Sequence, residues 1–339
     1  MRRLKAEPVT TNTEHRIRQS ARLASPGAEP DQHSQTVQGL ILVAMGAMGF
    51  SSIIVFARLI QGMSALSIAF YRATFSFSFF TALLVITRQH QAFHPSSYRR
   101  AVPYLIGLGV SVGITGILYV FAAQHTTAAA ATLLNNTSAV YVTLLAPWLL
   151  GEPRRPYAWL SLALAMAGML CLAGPAELAL FTSSVRGTAA AALSGLSYAA
   201  MMLLGRAVRG QVDTMVQIWW SMGIAALMAV PWAGGISRAT LISNLPYLAG
   251  LGIFAQGIPY TLYFLGLRRA PAQLVSITAL LEPAAGIMLG VLFFREIPGI
   301  LGLAGILMIA AAIALASISA GPAPAAKSRL SAKSMGAQQ

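Results

Sequence analysis

The chain has 339 residues, 56 % of them hydrophobic and only 9 % charged, whereas about a quarter of the residues of a soluble domain are charged. Such a chain carries too little polar surface to live in water. Its net charge of +14 does not mark a nucleic-acid binder, because Lys and Arg fall singly and in pairs between apolar runs, with no aromatic-interleaved basic patch.

Residues 1–38 are polar, rich in Pro, Ser and Gln, and lack the apolar core of a secretory signal. Glu7, Glu14, Glu29 and Asp31 argue against a mitochondrial presequence, and the segment reads as a disordered tail. Ten apolar stretches follow, at 39–60, 65–87, 102–122, 127–149, 157–175, 186–205, 215–233, 245–267, 272–293 and 298–318. Each is close to the roughly 20 helical residues that cross a hydrocarbon core. Unbroken apolar runs exclude barrel strands, which would be half as long and alternating. The expected fold class is therefore an all-α integral membrane bundle of ten transmembrane helices, and residues 320–339 read as a second disordered tail. With the N-terminus inside, eighteen Lys and Arg fall on the cytoplasmic side and four outside (Arg58, Arg186, Arg238 and Arg295), with Arg72 in a helix. That asymmetry predicts both termini in the cytoplasm of a multi-pass inner-membrane protein. The single cysteine, Cys171, lies in an apolar stretch, which excludes a disulfide framework and points to packing.

The sequence also repeats itself. "LYVFAAQHTTAAAATLL" at Leu118 aligns without a gap on "LYFLGLRRAPAQLVSIT" at Leu262, and the same offset of 144 sets Glu152 of "LLGEPRRP" on Glu296 of "FFREIPGI". "GFSS" at Gly49 resembles "GLSY" at Gly195. The units are 39–175 and 186–318. Five helices per unit force the second copy into the membrane from the opposite side, so the repeats are inverted, a recurrent design of secondary transporters.

Two five-helix halves, each with a helix ending in "GE" or "RE", a short turn and a Gly/Ala-rich helix, resemble the EamA family of the drug/metabolite transporter superfamily. Arg72 in "AFYRATFS", Glu152, Glu282, Pro283 and Glu296 stand where that family's patterns carry such residues. Met48 stands where a Trp is common, and Ala139 where the first half would match Pro283. The resemblance implies transport of amino acids or related small polar or amphipathic metabolites, and it favours export. Alternating access would run between the halves around a cavity lined by the first, third, fourth, sixth, eighth and ninth helices.

Two ionisable residues fall well inside the stretches, Arg72 and Glu282, and such residues face a cavity or a partner. Arg72 reads either as a guanidinium that clamps a substrate carboxylate by paired hydrogen bonds or as an interfacial anchor. Glu282, near mid-membrane, reads either as a carboxyl that binds substrate or a coupling proton, or as a structural acid beside Pro283. Asn135, Asn136, Thr137 and Ser138 give the fourth stretch a polar run suited to a ligand or to inter-helix hydrogen bonds. The repeat mates Tyr119 and Tyr263, with Tyr198, Trp219, Trp220 and Gln256, complete the candidate lining; packing or an interfacial belt is the alternative for the aromatics. Glu152 and Glu296, each beside arginine, read as structural helix-end residues. Gly109 and Gly113, and Gly299, Gly302 and Gly305, permit close helix packing.

His90 and His94 have metal-ligand spacing only if helical, and they lack a third ligand, so a solvated loop is expected and no metal. No nucleotide, nucleophile or prenyl-diphosphate motif is present, so no cofactor is implied. The partners expected are a small-molecule substrate, the lipid bilayer and a coupling proton. An intramembrane enzyme on lipid-linked substrate would need clustered acid or metal motifs at one membrane face. A membrane receptor or scaffold would bind without flux.

Overall fold

A computed structural model describes residues 32–155, 157–179, 184–295 and 298–318. Among these residues it is all helical apart from turns. The spans are α1 (Gln32–Ser51, continuing as Ile53–Leu59), α2 (Ala65–Ile86), α3 (Val102–His125), α4 (Ala128–Asn136 as α4a, Ser138–Leu149 as α4b) and α5 (Ala158–Ala179) in the first half. The second half holds α6 (Val185–Ala207), α7 (Thr214–Ala229), α8 (Arg238–Gly252 with Ile258–Arg269), α9 (Ala272–Ala279 as α9a, Leu281–Phe294 as α9b) and α10 (Ile300–Ile318). Nine of the ten are long and apolar enough to cross a membrane as they stand, and the tenth, α4, is divided at Thr137.

Five of the ten spans start at a side chain that accepts an otherwise orphaned N–H. Ser64 accepts from Ser67 to open α2, Thr127 from Ala130 to open α4, Ser184 from Gly187 to open α6, and Asp213 from Met215 to open α7. Ser237 accepts from Thr240 and starts α8 at Arg238, ahead of the expected 245. That added turn is anchored across the halves, because Asn244 exchanges hydrogen bonds with the Gln61 backbone at the end of α1. The helix α1 also starts early, at Gln32, so residues 32–38 extend it and do not belong to a disordered tail. The remainder of both expected tails lies outside the described residues. The segment with His90 and His94 forms two short 3-10 turns, which breaks the α-helical i, i+4 register that metal ligation would need.

The helices pack mainly across the halves, and each pairing has a counterpart with the halves exchanged. Thus α1 lies along α8 while α6 lies along α3, and α1 borders α9 while α6 borders α4; α2 pairs with α7, and α5 with α10. This exchange is what a two-fold axis in the membrane plane produces, the inverted repeat expected of an odd number of helices per unit. The α5–α10 pairing depends on absent side chains. A Cβ on Gly168 would sit 2.8 Å from the Gly305 carbonyl, and one on Gly305 would meet Gly168 and Leu172. Among the helix-thinning glycines, Gly305 therefore makes the close approach, as do Gly109 against Ile224 and Gly113 against Met228, whereas Gly299 meets nothing within 4 Å. Cys171 packs in the same α5–α10 seam, with its Sγ 4.0 Å from Met308 Sδ.

Both α4 and α9 break within one residue of the same place in the repeat, at Thr137 and Leu280, and their halves behave differently. On the face that carries Glu152, α4b and α9a pack on each other; toward the opposite face, α4a and α9b share no comparable contact and diverge. The α9 break has an obvious cause, since Pro283 cannot donate to the Ala279 carbonyl and its ring crowds that group. The α4 break has no proline. There the Thr137 hydroxyl donates to the Leu134 carbonyl at 2.6 Å and Asn136 Nδ2 to the Thr132 carbonyl at 2.9 Å, so side chains compete with backbone N–H groups for acceptors at the bend.

Candidate functional site

The breaks place polar groups at the middle of the bundle. Glu282 occupies the first turn of α9b, where a half-helix presents N–H groups that have no intrahelical acceptor. Arg72 stands about two turns into α2. The two charges interact electrostatically, and Tyr119 of α3 and Tyr260 of α8 lie in the same field. Tyr198 of α6 and Tyr263 of α8 also feel Glu282, so groups from both halves converge on one interior region.

Arg72 is the least expected member energetically. Its Nε is shielded from solvent and has no hydrogen-bond partner among the described protein atoms. Gln256 Oε1 and Tyr263 OH, both on α8, are buried and unpartnered in the same sense. Buried polar groups are normally satisfied, and a charge at the bilayer centre costs about 2.5 to 3.5 kcal/mol on insertion scales. Arg72 Nε, Gln256 Oε1 and Tyr263 OH together make an interior prepared for hydrogen bonding. The π-helical turn at Ile253–Gly257 carries Gln256 and widens α8 locally, a distortion frequent at functional sites.

The other expected residues divide clearly. Tyr119 joins α3 to α4a through a 2.9 Å hydrogen bond with Thr132, and Asn135 Oδ1 accepts from Ser194 of α6 at 3.0 Å. Asn136 spends an amide proton on its own helix, and Ser138 is buried where α4b begins. Trp220 stands apart, donating to Tyr98 at 3.2 Å in a cluster with Leu105 and Val208 near the Glu152 face. Trp219 stacks on Phe77 and donates to Thr81, which ties α7 to α2. Glu296 lies outside the described residues.

Glu152 is not merely a helix-end group in solvent. It is buried, and its Oε1 receives Arg206 Nε of α6 at 2.8 Å. Sequence reasoning counted Arg206 only as a topology charge, and it passed over Tyr260. Both were findable by helical spacing: Gln256, Tyr260 and Tyr263 recur at i, i+4 and i+7 on one face of α8, while Arg206 follows the buried positions Met202 and Leu203 of α6. The repeat comparison hid Tyr260, because Gly116 is its mate.

A ten-span bundle with inverted halves, paired broken helices and, at their junction, an arginine whose shielded Nε has no hydrogen-bond partner defines a membrane transporter. Family comparison agrees: the model of the EamA-like transporter family matches residues 37–174 and again 185–318, and the chain belongs to that family. It is 28 % identical over 278 residues to an uncharacterized transporter of Archaeoglobus fulgidus, covering 82 % of this chain and 96 % of that protein. It is also 28 % identical over 290 residues to the pseudopaline exporter CntI of Pseudomonas aeruginosa, covering 82 % and 95 %. A solved crystal structure with 19 % identity superposes at a TM-score of 0.68 over 83 % of this chain and 98 % of its own, which supports the fold.

Proposed function

We propose that the chain exports a small metabolite that carries a carboxylate, an amino acid or a related compound, by alternating access of the two halves around the Arg72–Glu282 region. The observation that carries the reading is Arg72, a guanidinium inside the bundle whose Nε lacks a protein partner while Glu282 balances its charge from across the halves. A guanidinium offers a carboxylate two parallel hydrogen bonds, which a lipid-facing arginine would have no reason to reserve. Gln256 and Tyr263 supply further hydrogen bonds to the ligand's polar groups, and Glu282 exchanges a coupling proton as the carrier turns. Relatives in the family are transporters, one of them named as an exporter of pseudopaline, and this supports the outward direction.

On this reading the charge asymmetry of the loops sets both chain ends in the cytoplasm of an inner-membrane protein. Purified protein in sealed proteoliposomes should move a carboxylate-bearing metabolite from a panel of amino acids and their derivatives, and the flux should respond to an imposed pH gradient. Binding without flux across the panel would instead identify a receptor and overturn the proposal.

A further inference from the structure

The ion pair of Glu152 and Arg206 does more than join α4 to α6. Two of its remaining polar atoms, one from each side chain, reach the corner where α8 ends and α9 begins. Glu152 Oε2 accepts the N–H of Ala272, the first residue of α9a, at 2.8 Å. Arg206 Nη1 donates to the carbonyl of Leu267 in the last turn of α8. A helix N-terminus exposes orphan N–H groups with partial positive charge, and a C-terminus exposes carbonyls with partial negative charge. The carboxylate therefore meets the positive helix end and the guanidinium the negative one, each charge-assisted.

The location gives this arrangement a consequence. The pair rides on α4 and α6, whereas the helix ends it grips belong to α8 and α9, the helices that border α1. Contact between α4b and α9a closes the bundle on this same face, and Gln273, one residue past Ala272, is also buried there and accepts from the Arg155 N–H at 3.4 Å. Separating the two groups of helices would strip both charges of their backbone partners together. We infer that Glu152 and Arg206 form a two-armed latch, seated on the ends of α8 and α9, that holds the interior shut at the Glu152 face and must release for the cavity to open there.

The inference rests on alternating access, and it is testable without a substrate, so it can fail while flux survives. In a Cys171→Ala background a single cysteine replaces Ser276, a residue of α9a that is 1 % exposed, and a membrane-impermeant maleimide is applied to either face of sealed vesicles. The parent should label slowly from the Glu152 face. Glu152→Gln and Arg206→Gln, each shown to be monodisperse, should label at least about tenfold faster, since removing one partner of a buried pair is strongly unfavourable to the state that buries it. The charge swap Glu152→Arg with Arg206→Glu should stay fast, because arginine cannot accept from Ala272 and glutamate cannot donate to Leu267. Parent-like labelling in the single variants, or restoration by the swap, overturns the latch. If the Gln variants aggregate, Glu152→Asp, one methylene short of Ala272, must label at an intermediate rate; a parent-like rate overturns the inference equally.

Discussion

Replacing Arg72 by Gln separates a substrate clamp from a structural anchor, because the two roles predict opposite signs for stability. With Nε unpartnered, the side chain bears a desolvation cost offset in part by its electrostatic contact with Glu282, a carboxyl that can neutralise itself by taking up a proton once the arginine is gone. Removing the charge relieves part of an insertion cost of about 2.5 to 3.5 kcal/mol. Arg72→Gln should therefore melt at or above the parent temperature in detergent, whereas a structural arginine would lower it. Transport should move the other way. Hydrogen bonds to charged groups contribute about 1.5 to 3 kcal/mol, so losing the clamp should raise KM for carboxylate substrates roughly 10- to 100-fold. Arg72→Lys keeps the charge and loses the planar fork, and should fall between. Amidated forms of the same substrates should discriminate parent from variant far less. A lower melting temperature with unchanged KM would refute the reasoning and return Arg72 to a structural role.

Three further outcomes follow from named contacts. Glu282→Gln should retain binding and substrate exchange while net flux loses its response to a pH gradient, measured in the same vesicles with a pH-sensitive dye inside; an unchanged response rules out Glu282 as the coupling group. Gly195→Ala should destabilise by about 1 to 3 kcal/mol in thermal or denaturant unfolding, because its Cβ would press on the Leu134 and Asn135 carbonyls and the Thr137 hydroxyl where α6 crosses the α4 break. Cys171→Ala removes only the contact with Met308 in the α5–α10 seam, so it should leave flux intact and cost under about 1 kcal/mol; a transport defect would place that seam in the cycle.

What could be read from the sequence was what composition and periodicity control. Lipid requires each span to satisfy its own backbone, so the ten stretches, their helical state and the odd-numbered repeat were legible in the apolar runs. The places where reading failed are those where a local signal depends on a distant partner. Ser237 offers a local cap for the early start of α8, but the polar Asn244 that breaks the apolar pattern there bonds the Gln61 backbone, 183 positions away in the chain. Helical spacing points Arg206 toward the buried face of α6, but its partners, Glu152 and two helix ends, cannot be inferred from an arginine at the end of an apolar run. Glu152, read as a helix-end residue, turned out to cap a different helix from its own.

The two broken helices show most directly how similar geometry comes from dissimilar residues. Pro283 announces the α9 break in the sequence, and the matching Ala139 suggests that α4 should run straight. Yet α4 bends within one residue of the matching register, because Thr137 and Asn136 add side-chain donors to the Leu134 and Thr132 carbonyls and Gly195 lets α6 approach the backbone there. One half thus bends by removing a donor and the other by supplying competing donors. The second device is reversible: a threonine hydroxyl can release its carbonyl by a rotation about χ1, which a proline ring cannot imitate. Thr137→Val, which keeps the shape and removes the hydroxyl, should therefore straighten α4 and slow the cycle while leaving α9 bent. The distance between spin labels at the two ends of α4 should lengthen in that variant, and an unchanged distance would assign the bend to Asn136 and the packing of Gly195 instead of the hydroxyl.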